Sequence, residues 1–122
     1  MQTRWKIAFA TGITASVVAS RAIYAPKFLV NFDAANFALA IREFNPGIHQ
    51  PQPPGYPVFV LLLKALDLLL HDARLDLLVA GVIGSVASVL LLWALANAMY
   101  GETVGYLSAL VLAAQPLFWY AA

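Results

Sequence analysis

HQPQPPGYPVFVLLLK, residues 49–64, sets four prolines and a glycine directly against a run of hydrocarbon. Pro51, Pro53, Pro54 and Pro57 fix φ and push their predecessors toward extended backbone, which predicts a stiff, polyproline-like strut. Gly55 allows a tight bend or a close approach within it. Pro57 suits the first turn of a helix, and the apolar run carries that helix to Leu70. Fourteen residues rise about 21 Å, which is short of the roughly 17–25 residues that cross a bilayer.

The surroundings of this stretch are as greasy as its end. The 122 residues are 62% hydrophobic and 11% charged, with a mean hydropathy of +0.80. Soluble domains carry about 25% charged residues, so this chain lacks the polar side chains to cover a surface. The composition predicts an integral membrane protein. A net charge of +1 leaves no electrostatic footprint for nucleic acid. The absence of cysteine excludes disulfides, thiol nucleophiles and zinc–thiolate sites, and His49 and His71 fit no metal motif.

Upstream, WKIAFATGITASVVASRAIY, residues 5–24, is long enough to span. Trp5 and Tyr24 stand where interfacial aromatics belong, and Arg21 is expected to snorkel outward. A cleaved signal peptide is the rival, but the arginine and the Ser/Thr-rich core oppose it. DAANFALAIREF, residues 33–44, reads as a short helix capped by Asp33, with Phe37, Ala40, Ile41 and Phe44 on one stripe. Its length and polarity suit the membrane interface. Asn45, Pro46 and Gly47 end it.

Downstream, HDARLD, residues 71–76, is a polar connector. Residues 77–100 form the clearest span, with Gly81/Ser85 and Gly84/Ser88 as small-residue pairs for helix packing. A tight GET connector leads to a last apolar helix, residues 104–122. Pro116, Trp119 and Tyr120 mark an interface near its end. The fold class is thus all-α, a polytopic membrane helix bundle.

Four groups of side chains have chemistry to offer. Asp33, held at the membrane surface, either acts as a base or binds a divalent cation, or it only caps its helix. His49, Gln52 and Tyr56 either line a binding site on the proline segment or belong to a plain strut. Lys64, Asp67 and His71 share one helix face, where a local ion pair is expected ahead of an Asp67/His71 metal pair. Asn97 and Gln115 are expected to bond between helices.

The order of these features resembles a known family. One span, an acid in FDAANFALAI, the HQPQPPGYP segment and paired apolar helices resemble the N-terminal part of C-type glycosyltransferases. These multi-span enzymes use polyprenyl-phosphate sugars, and the likeness is to the branch similar to protein O-mannosyltransferases. AMYGETVGYLSALVLAAQPLFWYAA looks like that family's helix–turn–helix. The resemblance covers most of the chain. Its PPGYP-like motif is moderately specific and its helices are not.

The resemblance implies that Asp33 is catalytic, as general base or as a metal ligand. It implies that His49, Gln52, Pro54, Gly55 and Tyr56 contact the donor or acceptor. His49 matches less closely, because the family's histidine lies nearer the prolines. The implied cofactor is at most a divalent metal ion. The implied partners are a polyprenyl-phosphate sugar donor, membrane lipid and the remainder of a larger enzyme, in an inner or plasma membrane. The implied topology is an N-terminus inside and a helical external loop over about 25–76, with the 57–70 helix dipping in without crossing. The alternative counts 57–70 as a crossing. Because the family's second acidic loop follows its third crossing, the sequence is expected to be the front of a longer enzyme. The competing class is a non-catalytic helical subunit that packs through its Gly/Ser faces. A transporter fragment has less support, because no broken helix carries convergent polar groups.

Overall fold

The computed structural model describes residues 2–29 and 31–121, without the side chains of Gln2 and residues 119–121. The interfacial role expected of Trp119 and Tyr120 lies outside the described side chains. Six helices account for most of the chain: α1 (Gln2–Ile23), α2 (Phe32–Arg42), α3 (Pro57–Leu70), α4 (Ala73–Tyr100), α5 (Glu102–Ala114) and α6 (Pro116–Ala121). A 3₁₀ turn occupies Pro46–Ile48, and the described residues contain no strand. Two helices, Thr3–Ile23 within α1 and α4, are long and apolar enough to cross a membrane.

The chain divides into two compact units, with the boundary inside α4. One holds Ala25–Ala80; the other holds α1 and the chain from Gly81 onward.

In the second of these, Ile13 and Val17 of α1, Val89 of α4 and Ala109 of α5 form the core. Phe9 packs edge-on against Tyr106 at 4.6 Å and lies 5.5 Å from Trp93. The ends of the helices fix their directions. Lys6 pairs with Glu102 at 2.6 Å, and Arg21 donates from Nη2 to the Phe118 carbonyl at 3.3 Å. Hence α1 runs antiparallel to α4 and alongside α5 and α6, and Tyr24 and Gly81 lie toward the same end of this unit.

Several expectations for this unit need correction. Arg21 does not snorkel: it is 5% exposed, and its guanidinium lies 5.1 Å from the Phe118 ring centroid. The last apolar stretch is not one helix. Gln115 is extended (φ −65°, ψ 121°) because Pro116 disfavours helical backbone before it, so α5 ends after 13 residues. The Gly84/Ser88 pair is exposed, and a methyl on Gly84 would meet nothing within 4 Å. The close helix approach is instead at Gly105, where a Cβ would lie 2.9 Å from Asn97 Cβ and 3.1 Å from its backbone. Asn97 thus supplies a packing surface, and among the described residues its side chain makes no hydrogen bond across to another helix.

In the Ala25–Ala80 unit, Leu63 is wholly buried between Ile41 of α2 and Ala80 of α4, with Phe37, Phe59 and Leu77 around them. Truncating such a leucine to alanine costs about 2–5 kcal/mol. α2 begins one residue earlier than expected because Asn31, not Asp33, is its cap: Asn31 Oδ1 accepts from Ala34 N at 2.7 Å. It ends at Arg42, which leaves Phe44 outside the helix. α4 begins at Ala73, so its polar connector is only His71 and Asp72. Asp72 Oδ1 accepts from Arg74 N and Leu75 N and so caps α4.

Candidate functional site

The segment between α2 and α3 is folded back on itself rather than drawn out as a strut. Asn45 and Gln50 exchange both backbone hydrogen bonds, at 2.6 and 3.0 Å, around the 3₁₀ turn. Asn45 Oδ1 accepts from Gly47 N and closes its start. Gly55 N donates to Gln52 O at 3.0 Å to make the next turn. The Gln50–Pro51 and Pro53–Pro54 peptides are cis, and Pro51 is buried. Gly55 is required here twice over. Its φ is +94°, and a Cβ would lie 2.8 Å from Pro46 Cγ and 3.2 Å from Phe44 Cζ.

This fold places Gln52 against α2. Gln52 Nε2 donates to Asp33 Oδ1 at 2.7 Å, across 19 residues of sequence. Asn36, one turn beyond Asp33 and 5% exposed, donates from Nδ2 to Gln52 Oε1 at 3.5 Å, the long limit of a hydrogen bond. Asp33 stands in the first turn of α2, where the helix dipole favours its negative charge. Its Oδ2 receives no hydrogen bond among the described residues. An exposed carboxylate with one oxygen held and the other open can accept a proton.

Below this polar chain runs an aromatic ladder. Tyr56 lies 5.7 Å from Phe37, and Phe37 meets Phe59 edge-on at 5.0 Å. Beside it a groove of about 230 Å³ is lined by Phe44, Pro57, Val60, Leu61 and Lys64. Its wall is hydrocarbon with one amine, and among the described residues Lys64 has no ion pair.

The sequence-predicted site residues therefore separate. Asp33 and Gln52 come together. Tyr56 and Gly55 help to set the loop, Tyr56 through Phe37 and Gly55 through Phe44 and Pro46. His49 and Pro54 are exposed, and no contact joins either to Asp33. Asn36 was not singled out, although its i+3 spacing from Asp33 places both on one helix face. The ion pair expected among Lys64, Asp67 and His71 does not form among the described residues. Nor do three His, Cys, Asp or Glu side chains converge there as metal ligands.

No protein-family model, curated protein or solved structure matches the chain.

Proposed function

We propose that this chain forms the acid-bearing part of an integral membrane glycosyltransferase, which moves a sugar from a polyprenyl-phosphate donor to an acceptor hydroxyl at the outer membrane face. The observation that carries this reading is the 2.7 Å bond from Gln52 to Asp33. It ties the only acid of α2 to the proline segment in which the family likeness lies.

In the proposed mechanism Asp33 Oδ2 takes the proton of the acceptor hydroxyl while Gln52 holds Oδ1. The hydroxyl oxygen attacks the anomeric carbon, and the bond from that carbon to the phosphate oxygen breaks. Polyprenyl phosphate leaves with the bonding electrons. The groove beside α3 suits the donor's lipid end, with hydrocarbon for an isoprenoid unit and Lys64 for the phosphate charge.

Three observations support a membrane setting. α1 and α4 have sufficient length and apolarity, and only 17% of each apolar window is buried. Large apolar side chains such as Leu91, Leu107 and Val111 are more than half exposed. The proposed topology has α1 and Leu77–Tyr100 crossing and residues 25–76 outside. The Lys6–Glu102 and Arg21–Phe118 contacts favour it, because they leave an even number of crossings between Tyr24 and Gly81.

The test is transfer from a panel of polyprenyl-phosphate hexoses by membranes carrying the complete enzyme. Asp33→Asn should lose nearly all transfer with expression unchanged, and near-normal turnover would end the catalytic reading. The second reading, a non-catalytic subunit, is favoured by one observation: the open space beside Gly84 on α4 could admit a partner helix. It predicts tolerance of alanine at Asp33 and Gln52.

A further inference from the structure

Asp76 is fully buried, and neither of its carboxyl oxygens has a hydrogen-bond partner. A lone carboxylate in that position is costly, because burial removes water and nothing replaces it. Another acid, Asp67 of α3, acts on it, within hydrogen-bond reach once one of the two carboxyls carries a proton. Two ionised carboxylates have no donor between them. A single proton converts the contact into an O–H···O bond and removes one of the two charges.

No lysine or arginine acts on this corner. Asp72, in the turn, adds negative charge, and its carboxylate is occupied in capping α4. His71, also in the turn, is the one acting group of opposite sign. Arg74 on α4 donates to the Pro26 carbonyl, Lys64 on α3 faces the groove, and Arg42 at the end of α2 is exposed. The described residues do not bring three metal ligands together here. α4 is 28 residues, about 42 Å, against a hydrocarbon core of about 30 Å. Its apolar run starts at Leu77, so in the proposed topology the turn carrying Asp76 lies outside the crossing.

We propose that Asp67 and Asp76 form a proton-binding site, one proton held between two carboxyls, that latches the end of α3 to the start of α4. Burial first, and the Asp67 contact second, push the Asp76 carboxyl up to about 6. An unfolded aspartate releases its proton near 3.9. Between those values the native state binds the extra proton, so stability falls as pH rises through the window and levels off above it. The site exists whether or not Asp33 transfers sugar.

The experiment is infrared titration of the chain in detergent micelles, from acid to neutral pH. The expected result is one protonated-carboxyl band that outlasts the ordinary carboxylates and titrates near 6, absent in Asp76→Asn. Asp67→Asn covers the case in which Asp76→Asn does not fold. Its amide donates to Asp76, so the late band should move to lower pH, while burial keeps it above the ordinary carboxylate range. A wild-type spectrum without a late band, or a late band untouched in both variants, overturns the proposal. So does stabilisation of the wild type by calcium in place of acid, lost in Asp67→Asn, because the ligand would then be a cation.

Discussion

Gln52 and Asp33 are joined side chain to side chain at 2.7 Å, although the loop that bears Gln52 and the helix that bears Asp33 are separate elements. A hydrogen bond to a charged group is worth about 1.5 kcal/mol, or about tenfold in rate if it serves the reaction. Gln52→Ala should therefore cut transfer about tenfold while leaving the protein folded. In an Asp33→Asn background the same change should cost little more. An equal further loss there would show that the two residues act independently.

The chain contains no cysteine, so single cysteines can report topology without a background signal. Cysteines at His49 and His71, before and after α3, should both react with an impermeant maleimide on intact cells. A cysteine at Thr103, in the first turn of α5, should react only after permeabilisation. Labelling of 49 and 71 from opposite faces would mean that α3 crosses and that the order of the later helices is inverted.

Gly105 and Gly84 make a matched pair for testing helix packing. Gly105→Ala drives a methyl against the Asn97 backbone, which should cost about 1–3 kcal/mol. Gly84→Ala enters open space in a helix interior and should be neutral or gain up to about 1 kcal/mol. Denaturant titration of both variants in mixed micelles checks the order. Equal loss at both positions would place a close partner beside Gly84 as well.

Helices whose signals are local were legible in the sequence. Pro57 at its start and an unbroken apolar run give α3 the limits Pro57–Leu70, which the structure reproduces. Trp5 and Tyr24 are both exposed at the ends of the first long helix. What was hidden depends on choices between neighbours. Asn31 and Asp33 both suit a cap, and only the backbone decides that Asn31 accepts from Ala34. Four prolines suggest extension, yet the Asn45–Gln50 bridge and the Gln52–Gly55 turn fold the segment back. That turn is what brings Gln52 to Asp33, so the site's residues were nameable but their pairing was not. Asp67 and Lys64 have ion-pair spacing, but among the described residues no ion pair joins them.

The aromatic ends of α1 also make it a ruler. Trp5 and Tyr24 are 70% and 74% exposed and stand about 28 Å apart along a helical rise of 1.5 Å per residue. Rings of this kind settle at the headgroup level on either side of a bilayer. In the proposed crossing, this separation is close to the roughly 30 Å hydrocarbon core of an ordinary bilayer. On that proposal a thinner membrane would make the helix lean, and α5, packed along it, would lean with it.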